Sequence, residues 1–194
     1  MDLYPIAVAV WMATWAGFAF FFIRNARRIQ RQRREHPETE AERKSIPGAK
    51  WGLVLQGVGF FIGNFRRPHA ALPPEAFMVA SMILSPLSLA LGSMAVRELG
   101  IQWRIQAVVT GTHKLITTGP YRWVRHPIYT SLFGMMVAGS FINSTWPMTI
   151  VAAVLYLIGT EIRIAAEERL LAEQFGREFS EFRARVPAYI PFVR

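Results

Sequence analysis

Leu3 to Ile23 reads LYPIAVAVWMATWAGFAFFFI, 21 residues without a single charge. Wound as an α-helix, a run of about 20 residues covers the roughly 30 Å of a bilayer's hydrocarbon. A cleaved secretory leader has a basic start and a shorter apolar core. Here the chain begins Met1-Asp2 and the arginines follow the run, so the expectation is a retained membrane span. Four further apolar runs repeat the signal: Trp51 to Phe65, Ala76 to Val96, Ile128 to Ile142 and Trp146 to Ile164. The second and fourth of the five are short and are expected to tilt or to pack inside a bundle.

Charge supports that organisation. Only 18% of the residues are charged, below the quarter or so usual for soluble domains. The net charge of +9 could suggest nucleic acid, but its placement does not. With five spans, nine Lys/Arg in residues 24–50, five in 97–127 and six from Arg163 onward fall on one side. The other side receives only Arg66 and Arg67. That asymmetry is the positive-inside pattern, with the N-terminus outside and the C-terminus cytoplasmic. The polar stretch 24–50 reads as a solvated connection with affinity for anionic headgroups. With no cysteine, thiolate metal sites, disulfides and cysteine nucleophiles are excluded. The expected fold is an all-α integral membrane protein, one domain over residues 1–194. Its spans lie near 3–23, 51–65, 76–96, 128–142 and 146–164, and its chemistry at the cytoplasmic edge.

Two segments collect the reactive residue types there. Arg97 to Pro127 reads RELGIQWRIQAVVTGTHKLITTGPYRWVRHP, punctuated by Gly111, Thr117, Thr118, Gly119 and Pro120. His113 to Ile116 is therefore expected as a short extended piece between turns. Pro127 suits the first turn of a helix, and His126 sits where chain amides and the positive helix end can meet an anion. The fifth span runs on without a breaker into EIRIAAEERLLAEQFGREFSEFRARV. Arg163 and Glu167, four apart, share a helical face. They fit an ordinary ion pair as well as a functional one, and His113 and His126 fit structural roles as well as catalytic ones. A metal between the histidines lacks a third ligand at sensible spacing. Beyond Gly176, Phe175, Phe179, Phe182 and Val186 recur at helical spacing, the pattern of an amphipathic helix at the interface.

Taken in order, Gln106, HKL at His113, GPY ending at Tyr121, RHPIY ending at Tyr129, Arg163 and the tail EERLLAEQFGREFSEFRARVP resemble the isoprenylcysteine carboxyl methyltransferase family. The resemblance covers roughly Trp103 to Phe192 and is to a compact, prokaryotic-type member, which implies a prokaryotic inner membrane. It implies S-adenosylmethionine as cofactor, in a cytoplasmic-side pocket built from about 103–129 and 163–192. Gln106, His113, Lys114, Leu115, Ile116, Tyr121, His126, Pro127, Ile128, Tyr129 and Glu167 would line the cofactor site. Arg163 would face the carboxylate of a lipophilic or lipidated acceptor, holding it by the fork geometry of a guanidinium. The tail departs from the family pattern: RVPAYIPFVR carries Ala188-Tyr189-Ile190 between its prolines instead of a glycine-containing turn. Phospholipid methyltransferases and some membrane reductases carry similar pieces. Amine methylation, nicotinamide chemistry and a non-catalytic lipid-binding bundle therefore stand as alternatives, although no glycine-rich dinucleotide loop is present.

Overall fold

The computed structural model describes residues 3–35, 44–65, 72–103, 108–109 and 114–189. Gln106 and His113 lie outside these residues. Six helices dominate: α1 (Leu3–Glu35), α2 (Ala49–Asn64), α3 (Glu75–Leu99), α4 (Pro127–Asn143), α5 (Trp146–Phe175) and α6 (Arg177–Arg185). Among the described residues, strand is confined to a two-residue antiparallel pair, β1 (Lys44–Ser45) with β2 (Val108–Val109), in register Lys44 to Val109 and Ser45 to Val108.

Three helices among the described residues are long and apolar enough to cross a membrane: Leu3–Gln32, Glu75–Leu99 and Trp146–Phe175. The first and last outrun their apolar stretches. α1 carries on through RNARRIQRQRRE, because arginine, alanine and glutamine are good helix formers and no glycine or proline interrupts them. The polar segment after the first span thus begins as helix instead of open connection. α5 likewise continues past Ile164 to Phe175, carrying Arg163, Glu167 and Glu168 on one rigid rod. With 16 and 17 residues, α2 and α4 are shorter.

The helices pack as two pairs, α2 on α5 and α3 on α4, with α1 leaning on α3. The α2–α5 contact is the closest because glycines face backbone. A Cβ on Gly52 would sit 2.5 Å from the Gly159 carbonyl oxygen and 2.7 Å from Arg163 Cγ, and one on Gly159 would sit 2.5 Å from the Gly52 carbonyl oxygen. Small residues at such a seam let helices approach closely where lipid offers no hydrophobic drive. One turn on, Gln56 Nε2 donates to Thr160 Oγ1 at 2.9 Å in the buried seam and pins its register. Tyr156 ties α5 to α4, its hydroxyl donating to the Tyr129 carbonyl at 3.1 Å.

Candidate active site

The segment leading into α4 is shaped by Gly119 and two prolines. Gly119 has φ +57°, and a Cβ there would crowd the Glu98 carboxylate, which accepts a hydrogen bond from Thr118 Oγ1. The short 3-10 turn Gly119–Arg122 then turns Tyr121 inward. Tyr121 is buried, with its hydroxyl 3.5 Å from the Ala95 carbonyl oxygen. Burial first, then the charges of Glu167 and Glu98, push its pKa well above the usual phenol value, so the ring presents a neutral hydroxyl. Pro127 opens α4, where its missing N–H leaves nothing unsatisfied.

His126, Tyr129, Arg163 and Glu167 converge where the start of α4 meets the second half of α5. Arg163, only 5% exposed, donates from Nε to the Tyr129 hydroxyl at 2.8 Å, and that hydroxyl donates to Glu167 Oε1. The guanidinium lies 5.4 Å over the Tyr129 ring centre and 3.7 Å from Glu167 Oε1. His126 Nδ1 is 3.4 Å from Glu167 Oε2, and its Nε2 is 3.2 Å from Glu168 Oε1. Burial disfavours the imidazolium. Hydrogen bonds to Glu167 and Glu168, with the charges of both carboxylates, outweigh it and hold the His126 pKa above the ordinary histidine value. An arginine at this depth is costly unless paired, and here both a ring and a carboxylate meet it.

Behind this group lies a second cluster that sequence reading left out. Buried Glu168 receives Arg125 from Nε at 2.8 Å and Nη2 at 2.7 Å, and Arg183 of α6 from Nε at 3.2 Å. Arg125 also donates to the Arg183 and Val186 carbonyls. The tail after α6 runs back over the start of α4: the amides of Arg125 and His126 donate to the Pro187 and Ala188 carbonyls at 2.9 and 2.8 Å. Thr130 Oγ1 donates to the Tyr189 carbonyl at 2.6 Å, and the Tyr189 hydroxyl to Glu161 at 2.6 Å. Burial and the Glu161 carboxylate push the Tyr189 phenol up to about 12. The departure Ala188-Tyr189 is thus used as a strap. Two of the amides expected to be open to an anion are taken by it.

These elements enclose a cavity of about 420 Å³. Its polar side carries Lys114, Tyr121, Arg125, His126, Tyr129, Arg163 and Glu167, together with Leu115, Ile116 and Ile128. Every candidate among the described residues reaches the wall except Pro127, which is buried at the head of α4. The Lys114 amide donates to Gln102 Oε1, so the segment after His113 is tied to the end of α3. The apolar side comes from residues with no motif to announce them: Phe18 and Phe22 of α1, Leu53 of α2, Leu170 of α5, and Phe179 and Phe182 of α6. Phe179 and Phe182 of α6 therefore line the cavity. Phe179 and Phe182 were legible only as a helical stripe. Glu168 was legible only as the second half of a Glu-Glu doublet, and Arg125 as a basic neighbour of His126.

Known proteins match part of the chain. Residues 80–173 match the profile described as the Isoprenylcysteine carboxyl methyltransferase (ICMT) family. The cobalt-zinc-cadmium resistance protein CzcN of Cupriavidus metallidurans is 34% identical over 56% of this chain and 51% of its own. Protein-S-isoprenylcysteine O-methyltransferase B of Arabidopsis thaliana is 37% identical over 42% of this chain and 41% of its own. The mouse protein-S-isoprenylcysteine O-methyltransferase is 30% identical over 46% of this chain and 32% of its own. The chain spans about half the length of these curated relatives, or less.

Proposed function

Because the chain belongs to the isoprenylcysteine carboxyl methyltransferase family, we propose that it is a membrane methyltransferase that uses S-adenosylmethionine to esterify the carboxylate of a lipophilic, isoprenylcysteine-like acceptor. The observation that carries this is one cavity with a charged, hydrogen-bonding side and an apolar side, joined at Arg163. S-adenosylmethionine, when bound, supplies an electrophilic methyl on a sulfonium, which a carboxylate accepts without giving up a proton.

The donor set fits such a cofactor. Glu167 offers a carboxylate to an ammonium group, the ring of Tyr121 offers a face to a cation, Tyr129 borders the same wall, and the backbone of 114–116 offers groups to an amino acid or adenine edge. Gln106 and His113 complete the proposed set. Arg163 orients the acceptor carboxylate. Tyr129 braces Arg163 through its Nε, and its ring lies against the guanidinium. No strong base is required, because the nucleophile is already ionised at neutral pH. Acceleration comes from holding the reacting groups in line and away from water. Phe179 and Phe182 supply that exclusion, and the apolar wall from α1 and α2 takes the acceptor's chain.

We read α1 to α5 as five crossings, with the N-terminus outside and the cavity on the cytoplasmic side of a prokaryotic inner membrane. The one-sided distribution of Lys and Arg and the small-residue packing of α2 on α5 support this.

The test is transfer of labelled methyl from S-adenosylmethionine into a lipid extract by the purified protein. A base-labile product is expected, and Arg163→Ala abolishes it while cofactor binding persists. A base-stable product that survives Arg163→Ala points to an amine acceptor. Failure of the folded protein to bind S-adenosylmethionine ends the proposal.

A further inference from the structure

α1 and α2 are neighbours that hardly pack on each other, since α1 leans on α3 and α2 on α5. Two cavities follow the seam between them. The inner one is the apolar side of the site, with Phe18 and Phe22 on α1 and Leu53 and Gln56 on α2. The outer one, about 390 Å³, takes its walls from the next turns: Trp11, Met12 and Trp15 on α1, with Phe60, Phe61 and Asn64 on α2. The lining changes over where Trp15 and Phe60 lie. Trp15 and Phe60 meet edge to face, ring centres 5.5 Å apart at 72°. Each ring is backed: Trp15 by Phe18 at 5.7 Å, and Phe60 by buried Tyr156 at 5.8 Å.

Resting on the proposed carboxyl methylation, we infer that the Trp15–Phe60 contact is the wall that sets how long an acceptor chain the site takes. The acceptor's carboxylate is held at Arg163, which Gly52 touches on α2. From Gly52 to Phe60 is eight residues of helix, about 12 Å at 1.5 Å per residue. An extended chain advances a little over 1 Å per bond, so about ten chain atoms reach the wall. Opening the contact joins the outer groove and adds about 6 Å, the rise from Phe60 to Asn64, room for about five more. The occupant is the acceptor's own chain. The outer groove continues the line of the inner cavity, is walled by aromatic and apolar side chains, and is flanked by exposed Met12 and Phe61 where bilayer hydrocarbon lies.

The experiment uses the full-length protein in lipid nanodiscs and S-alkylcysteine carboxylates with linear chains of about 8 to 20 atoms, spanning the estimated reach. In the wild type, kcat/KM rises with length up to about ten chain atoms and then stops rising. Trp15→Ala and Phe60→Ala each move that break outward by about five atoms. Each gains about tenfold in kcat/KM for two additional buried methylenes, with S-adenosylmethionine affinity unchanged. Phe60→Leu serves where an alanine variant fails to fold, and shifts the break in the same direction. A break that stays in place in folded, cofactor-binding variants overturns the inference.

A second readout needs no turnover: photolabelling with fatty carboxylates bearing a terminal diazirine. In the wild type, chains at the estimated reach label Gln56 and the wall residues Trp15 and Phe60, and in the variants longer chains label Trp11 and Phe61. That shift without methylation of any acceptor rejects the reaction but keeps the wall. Labelling confined to other helices rejects the wall.

Discussion

Glu168→Gln probes whether the tail is held down by charge. The carboxylate is buried and takes both donors of Arg125 at 2.7 to 2.8 Å, with His126 at 3.2 Å. Arg183, its third partner, is 64% exposed, so solvent screening leaves that pair worth little. Removing one partner of a buried ion pair costs about 3 to 5 kcal/mol, because the other charge stays behind uncompensated. Glutamine keeps the shape and one acceptor oxygen, which places the expected loss near the lower end, about 3 kcal/mol. For a chain of this size each kcal/mol moves the midpoint by about 2 to 4 °C, so the expected fall is about 6 to 12 °C. The assay is thermal unfolding of detergent-purified protein followed by circular dichroism, with Arg125→Gln and the double variant completing a cycle. The two single losses are expected to overlap, with a coupling above about 1 kcal/mol, because the residues share one bond network. Limited proteolysis should then cut at Arg183 or Arg185 sooner than in the wild type. A midpoint within about 2 °C of wild type, or strictly additive losses, refutes the idea that this cluster fastens α6 and the strap to α4.

Three further outcomes follow from the same geometry. His126 has its pKa raised in the folded protein, so the stability it contributes is fully present below the ordinary value of about 6.5 and is lost as pH rises through the folded value. Unfolding midpoints should fall over that window, and His126→Gln should flatten the decline; an unchanged pH profile in the variant counts against the paired imidazolium. Gly52→Ala and Gly159→Ala each drive a methyl group to about 2.5 Å from backbone that cannot step aside, with an expected loss of about 1 to 3 kcal/mol seen as a lower unfolding midpoint. Tyr129→Phe removes the hydroxyl that joins Arg163 to Glu167 and should lower kcat by about ten- to a hundredfold, as losing a hydrogen bond to a charged group does. A rise in KM with kcat unchanged shows that the hydroxyl serves binding alone.

Much of the cavity's polar side was readable before any coordinates. Tyr121, His126 and Tyr129 fall in one short segment, and Arg163 and Glu167 in one helical turn, so local spacing alone groups them. Glu168 escaped because a doublet of glutamates on a helix exit looks the same whether its second member faces water or a buried arginine. Arg125 escaped for the matching reason: an arginine beside the membrane is as good an anchor for headgroups as a partner for a carboxylate. The strap of 187–189 had no signal beyond two prolines, since its bonds are made by carbonyl groups that every residue carries.

The sequence by itself determined that this chain carries segments long and apolar enough to enter a bilayer, because hydrocarbon length acts on each segment separately. It also determined the residue types on the polar side of the cavity, because they sit close together along the chain. Only the tertiary structure decided that the phenylalanines of α6 close a cavity, that Glu168 binds three elements together, and that Trp15 meets Phe60 at the change from inner to outer groove. Those contacts join segments tens of residues apart or more. An aromatic or acidic side chain carries no local mark of the partner it meets; packing selects that partner once the helices have assembled.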